Sequence, residues 1–129
     1  MKKIYLYLFM FMFFLNEVSY AKNLLHPLSF RGSEQEKKDI IAFIEKNVHE
    51  IYCDNKLLQI MCTNSILRMM EEEELNSFKK LTMAKEESIL NSVINTYCTN
   101  SALEDMCMYS NILLIYEDEV QASGKKLTW

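Results

Sequence analysis

From residue 33 onward, apolar positions recur at intervals of three and four, the period of helices that turn one face to a core. Ile40, Ile41, Ile44, Val48 and Ile51 form the first stripe. Ser33 followed by Glu36 is a capping-box pattern that starts a helix ahead of it, and the stripe predicts an end near Tyr52. Asp54 or Asn55 then caps a second helix through Leu58, Met61, Cys62, Met69 and Leu75. A third runs through Ile89, Leu90, Val93, Ile94 and Tyr97. A fourth, capped within Thr99 to Ser101, runs through Leu103, Met106, Leu113 and Val120. Gly32 and Gly124, the only glycines, bracket this region, and Pro27, the only proline, precedes it, so helix breakers are absent from its interior.

The pattern repeats. Laying residues 44–75 on 89–120, an offset of 45, gives eleven identities, among them Val48/Val93, Tyr52/Tyr97, Cys53/Cys98, Asn55/Asn100, Cys62/Cys107 and Glu72/Glu117. Each copy reads as a helix, a cysteine-containing turn and a second helix. A helical hairpin cannot bury its apolar face alone, so two copies predict an all-α domain of about four helices around one core. The expected organisation is a signal peptide at 1–21, an irregular lead-in at 22–32, a duplicated domain at 33–122 with copies at about 40–78 and 85–122, and a flexible tail at 123–129.

The signal peptide rests on Lys2 and Lys3, the apolar run from Ile4 to Leu15, and the small-x-small pattern Ser19-Tyr20-Ala21. The run is short of the ~20 residues of a membrane-crossing helix, so the mature chain is expected in the periplasm or outside the cell, with no membrane span. Cleavage leaves 108 residues, enough for one domain with a modest core. It also leaves 12 basic against 17 acidic side chains, a net charge of −5. That balance disfavours nucleic acid and anionic membranes and leaves a basic protein partner open.

Four cysteines in an exported chain of this size read as two disulfides, and their spacing of nine does not suit a zinc site. On an unbroken helix, residues nine apart lie ~13.5 Å apart along the axis, whereas a disulfide needs Cα atoms within ~7 Å. Either the helix breaks between the paired cysteines, or the bridges join the copies. Capping residues after Cys53 and Cys98 favour the break, and with it Cys53–Cys62 and Cys98–Cys107. No metal, cofactor or catalytic group is expected. The only histidines are His26 and His49, which are read as lead-in and surface positions, and oxidised cysteines are not nucleophiles.

Glu71, Glu72, Glu73 and Glu74 fall at the repeat positions of Tyr116, Glu117, Asp118 and Glu119. Such a run ordinarily marks a solvated helix face. Paired in both copies, it also makes a patch able to steer a basic protein, and these acidic residues are the candidate partner-binding set. Met61, Met69, Met70, Met83, Met106 and Met108 are expected mainly as adaptable core.

The segments CDNKLLQIMC followed by EEEELNSF, and CTNSALEDMC followed by IYEDE, resemble the exported modules of the LprI-type lysozyme-inhibitor family. The resemblance covers Cys53 to Phe78 and Cys98 to Val120. It departs from the family in a shorter interval between cysteines and in Leu75-Asn76-Ser77-Phe78, one residue short. The turns are also similar to those of cysteine-rich secreted helical-repeat proteins. Both resemblances imply a disulfide within each copy and a role in protein binding. The expected function is masking of a protein partner, most specifically a lysozyme or other cell-wall hydrolase. The alternatives are an immunity protein against a periplasmic toxin and a structural or secretion-accessory envelope protein.

Overall fold

The computed structural model describes residues 24–129, so the expected signal peptide lies outside the described residues. The described chain is all-helical, with no strand, and holds four α-helices: α1 (Glu34–His49), α2 (Asn64–Leu81), α3 (Glu87–Cys98) and α4 (Tyr109–Ser123).

Helix α1 begins as the sequence predicts. The Ser33 hydroxyl accepts from the Glu36 N–H at 3.2 Å while the Glu36 carboxylate accepts from the Ser33 N–H at 2.9 Å. Arg31 N–H donates to the same carboxylate at 3.0 Å. These donors hold the Glu36 carboxyl below its ordinary range, the Ser33 contacts most of all.

Beyond His49 the backbone widens into a π-turn, Glu50–Asp54, and then tightens into a 3-10 turn, Gln59–Met61. The second copy uses a 3-10 stretch at Ser101–Met106. These turns fold the chain back so that both bridges form within a copy, Cys53–Cys62 and Cys98–Cys107, each with Cα atoms 4.9 Å apart. Asn55 and Asn100 serve here as turn formers, their side-chain oxygens accepting from the N–H groups of Leu57 and Ala102 at 3.0 Å. The second α-helix of each copy therefore starts after the second cysteine, at Asn64 and Tyr109, and not after the first, where the capping residues predict it. The physical reason is the bridge itself: no α-helical path between the paired cysteines would bring them within reach.

Helix α2 packs against α1 and α4, and α4 packs against α2 and α3, so the order across the molecule is α1, α2, α4, α3. The two hairpins thus meet through equivalent helices of the repeat, α2 and α4. Val48, Leu81, Leu90, Tyr109 and Ile112 are fully buried in the one core that the four helices share, and Phe78 is buried with them.

The lead-in contributes to the core as well. Pro27–Ser29 form a 3-10 turn with Pro27 buried, and Phe30 stands edge-on to Phe78 with ring centroids 5.2 Å apart. The Tyr109 hydroxyl donates to the Leu25 carbonyl at 2.8 Å, tying this segment to the second copy. At the other end, residues 125–129 have no regular structure, and Leu127 and Trp129 are fully exposed.

Candidate functional site

Helix α2 gets its N-cap from its own sequence, since the Thr63 hydroxyl accepts from the Ile66 N–H at 3.4 Å. The repeat places Met108 at the matching position ahead of α4, and methionine offers no cap. The gap is filled from the other copy. Glu74, on α2, accepts the Tyr109 N–H at 2.7 Å and the Ser110 N–H at 3.1 Å. A carboxylate thus sits at the positive end of α4, satisfying donors the helix cannot pair internally.

Glu74 is only 4% exposed. Desolvation pushes its carboxyl above the ordinary carboxylate range and outweighs the opposing pull of the Ser110 and Tyr109 hydrogen bonds; neighbouring Glu73 adds a small upward push. Tyr109, buried against the Phe78 and Phe43 rings at 5.0 and 5.8 Å, has its phenol pushed well above its usual value, chiefly by burial and then by the Glu74 charge.

This geometry divides the candidate acidic set. Glu74 is a structural cap and is withdrawn from any partner surface, a correction that follows from the unmet donors of α4. Glu71 is also largely covered and lies 2.7 Å from Arg68, whose guanidinium reaches toward Glu45 of α1 at 3.7 Å. Glu119 faces the furrow between α3 and α4, beside Ser92 and Thr96, and Asp118 is exposed on α4. The remaining three, Glu72 and Glu73 from the first copy and Glu117 from the second, line one groove between α2 and α4.

That groove has a volume of about 800 Å³. Met69 and Leu114 stand in it 57% and 60% exposed, and Met70, Met108 and Leu113 contribute more deeply set apolar surface. Among the described residues, Lys80 is its only cationic lining residue. Tyr52 reaches it from the first disulfide turn, its phenol pushed up by partial burial and by the charges of Glu74 and Glu73.

The methionine reading is corrected in part: Met69, Met83 and Met106 are exposed, while Met108 is buried. Met69 lies on the α2 flank that α4 leaves partly uncovered, and Met83 lies in the turn between α2 and α3. Sequence reasoning also missed Tyr109 as the packing hub and Lys80, Met108 and Leu114 as groove residues. One signal was available for the Glu74 cap, the Thr63/Met108 mismatch in an otherwise parallel repeat.

The two disulfides point to a non-cytoplasmic location. No helix among the described residues is long and apolar enough to cross a membrane. Comparison with protein families, curated proteins and solved structures found no match to this chain.

Proposed function

We propose that this is an exported binding protein that masks a basic protein partner, most specifically a lysozyme or other cell-wall hydrolase. The observation that carries this reading is the meeting of Glu72, Glu73 and Glu117 on one groove beside exposed Met69 and Leu114. An acidic rim around apolar surface suits a cationic protein: the charges speed encounter, and the apolar residues supply contact area. The resemblance of the two cysteine segments to the LprI-type inhibitors supports the hydrolase as the specific partner.

The test is a cell-wall lysis assay with the disulfide-intact domain, residues 22–129, titrated against several lysozymes. The expected result is saturable inhibition that weakens as salt is raised, because the steering charges are exposed. Full hydrolase activity at a tenfold excess of the domain would overturn the hydrolase reading.

A further inference from the structure

We propose that the occupant of the α2–α4 groove is a cationic amphipathic helix of the partner, about three turns long, laid along the groove with its apolar face on Met69 and Leu114. This deepens the binding reading and depends on the groove being a protein site, but not on the partner being a hydrolase.

The length comes from the groove itself. Its α2 wall runs from Met69 to Lys80, twelve residues, or ~16.5 Å over the eleven rises between them, which is about three turns. The secondary structure comes from elimination among the ways proteins hold peptides. Strand addition needs an exposed sheet edge, and there is no strand among the described residues. Polyproline recognition needs a bed of aromatic rings, and this groove has one, Tyr52. Helix-in-groove binding remains, and methionine suits it because an unbranched, polarizable side chain adapts to a helical surface.

The charge comes from the rim. Glu72, Glu73 and Glu117 belong to helices on both sides of the groove, so a seated helix meets carboxylates along both flanks. Lys80 stands at the far end of the α2 wall and opposes cations there, so the groove favours a helix whose basic residues lie toward the three acids. An anionic lipid surface fits this rim poorly, since its headgroups would face like charge.

The probe is a synthetic 18-residue Leu/Lys peptide with its leucines at helical spacing, fluorescently labelled, and binding is read as anisotropy with the disulfide-intact domain. Two controls are the same composition in scrambled order and a version with Glu in place of Lys. The ordered cationic peptide is expected to bind, and the two controls are not. Replacing Glu72, Glu73 and Glu117 together by Gln should weaken binding about tenfold, at ~0.5 kcal/mol for each exposed pair. Lys80→Glu should tighten it by up to about fivefold. Met69→Ser with Leu114→Ser should weaken it even in high salt, where the charge contribution is screened.

A charge-matched triple outside the groove, Glu34→Gln, Glu87→Gln and Glu119→Gln, should leave binding within about twofold of wild type. Equal loss in the two triples would mean diffuse charge attraction, and equal binding of the scrambled peptide would remove the helix; either overturns the proposal. So would absence of peptide binding together with Met69- and Leu114-dependent sedimentation on phosphatidylcholine vesicles, which would assign the groove to a membrane. Peptide binding without inhibition of any lysozyme would sink the hydrolase reading alone. Lysozyme inhibition without peptide binding would sink the helix proposal alone.

Discussion

Replacing Glu74 by Ala should destabilise the domain far more than replacing any other residue of the acidic run. The substitution strands the Tyr109 and Ser110 N–H groups at the start of α4. Hydrogen bonds to a charged acceptor contribute ~1.5–3 kcal/mol each, so the two together contribute about 3–6 kcal/mol. Against this stands the cost of keeping a carboxylate out of water, which the hydrogen bonds offset only in part, so the lower half of that range applies. Ser110 is only half-buried, so water can serve its N–H in the variant, whereas the Tyr109 N–H is enclosed. The net loss should be about 2–3 kcal/mol, and at ~4–8 °C per kcal/mol for a domain near this size the melting temperature should fall by about 10–20 °C. Far-UV circular dichroism of the oxidised domain at neutral pH measures this directly. Glu119→Ala, the exposed repeat counterpart, should change stability by no more than ~0.5 kcal/mol. If Glu74→Ala melts within about 2 °C of wild type, the carboxylate is not holding α4 and the cap is misassigned.

The same residue sets a pH dependence. A carboxyl whose pKa is raised by folding binds its proton more tightly in the folded chain. The extra stability from this tighter proton binding is therefore fully present below the unfolded value of 4.5 and is lost as pH rises through the folded value, while the hydrogen bonds to the Tyr109 and Ser110 N–H groups remain. Urea melts should show the stability difference, wild type minus Glu74→Gln, shrinking as pH rises across that window; a difference that grows would reverse the assignment. Under limiting reductant, Cys53 and Cys62 should react with a thiol label before Cys98 and Cys107, because Cys98 is 5% exposed and Cys107 is fully buried. Losing either bridge should cost about 2.7 kcal/mol for its ten-residue loop in the chain-entropy model, read from urea melts of the paired Cys→Ser variants. Tyr109→Phe removes the tie to the Leu25 carbonyl, and should lower stability by ~1 kcal/mol and speed amide exchange around the 3-10 turn at Pro27–Ser29.

Much of the fold was legible because it is written in short-range chemistry. The capping box at Ser33 and Glu36 needs only residues three apart, and the stripe from Ile40 to Val48 needs only helical periodicity. The limit that bond geometry places on residues nine apart left a broken helix or cross-copy bridges, and the capping residues after Cys53 and Cys98 favoured the local pairing that the structure shows. The starts of α2 and α4 were misplaced because Asn55 and Asn100 carry side chains that serve a helix cap and a tight turn equally well. Only the closed bridge distinguishes the two uses. The acidic runs were legible as composition, yet four adjacent glutamates fan around a helix: Glu74 turns inward, Glu71 lies against Arg68, and only Glu72 and Glu73 reach the groove.

By itself, the sequence determined a duplicated all-helical chain and favoured a disulfide inside each copy over bridges between copies, since periodicity, capping and bond length act over a few residues; the closed bridges settled the pairing. The tertiary structure decided which carboxylates stay on the surface and which are drawn inward. It joined the copies through α2 and α4, because those helices bury Phe78, Tyr109 and Ile112 between them, and that junction drew Glu74 inward to the uncapped end of α4. The same junction brought Glu72, Glu73 and Glu117 to one groove. Residues some 45 apart in the chain become neighbours only when the two apolar faces close on each other, and no local rule of sequence specifies which faces those will be.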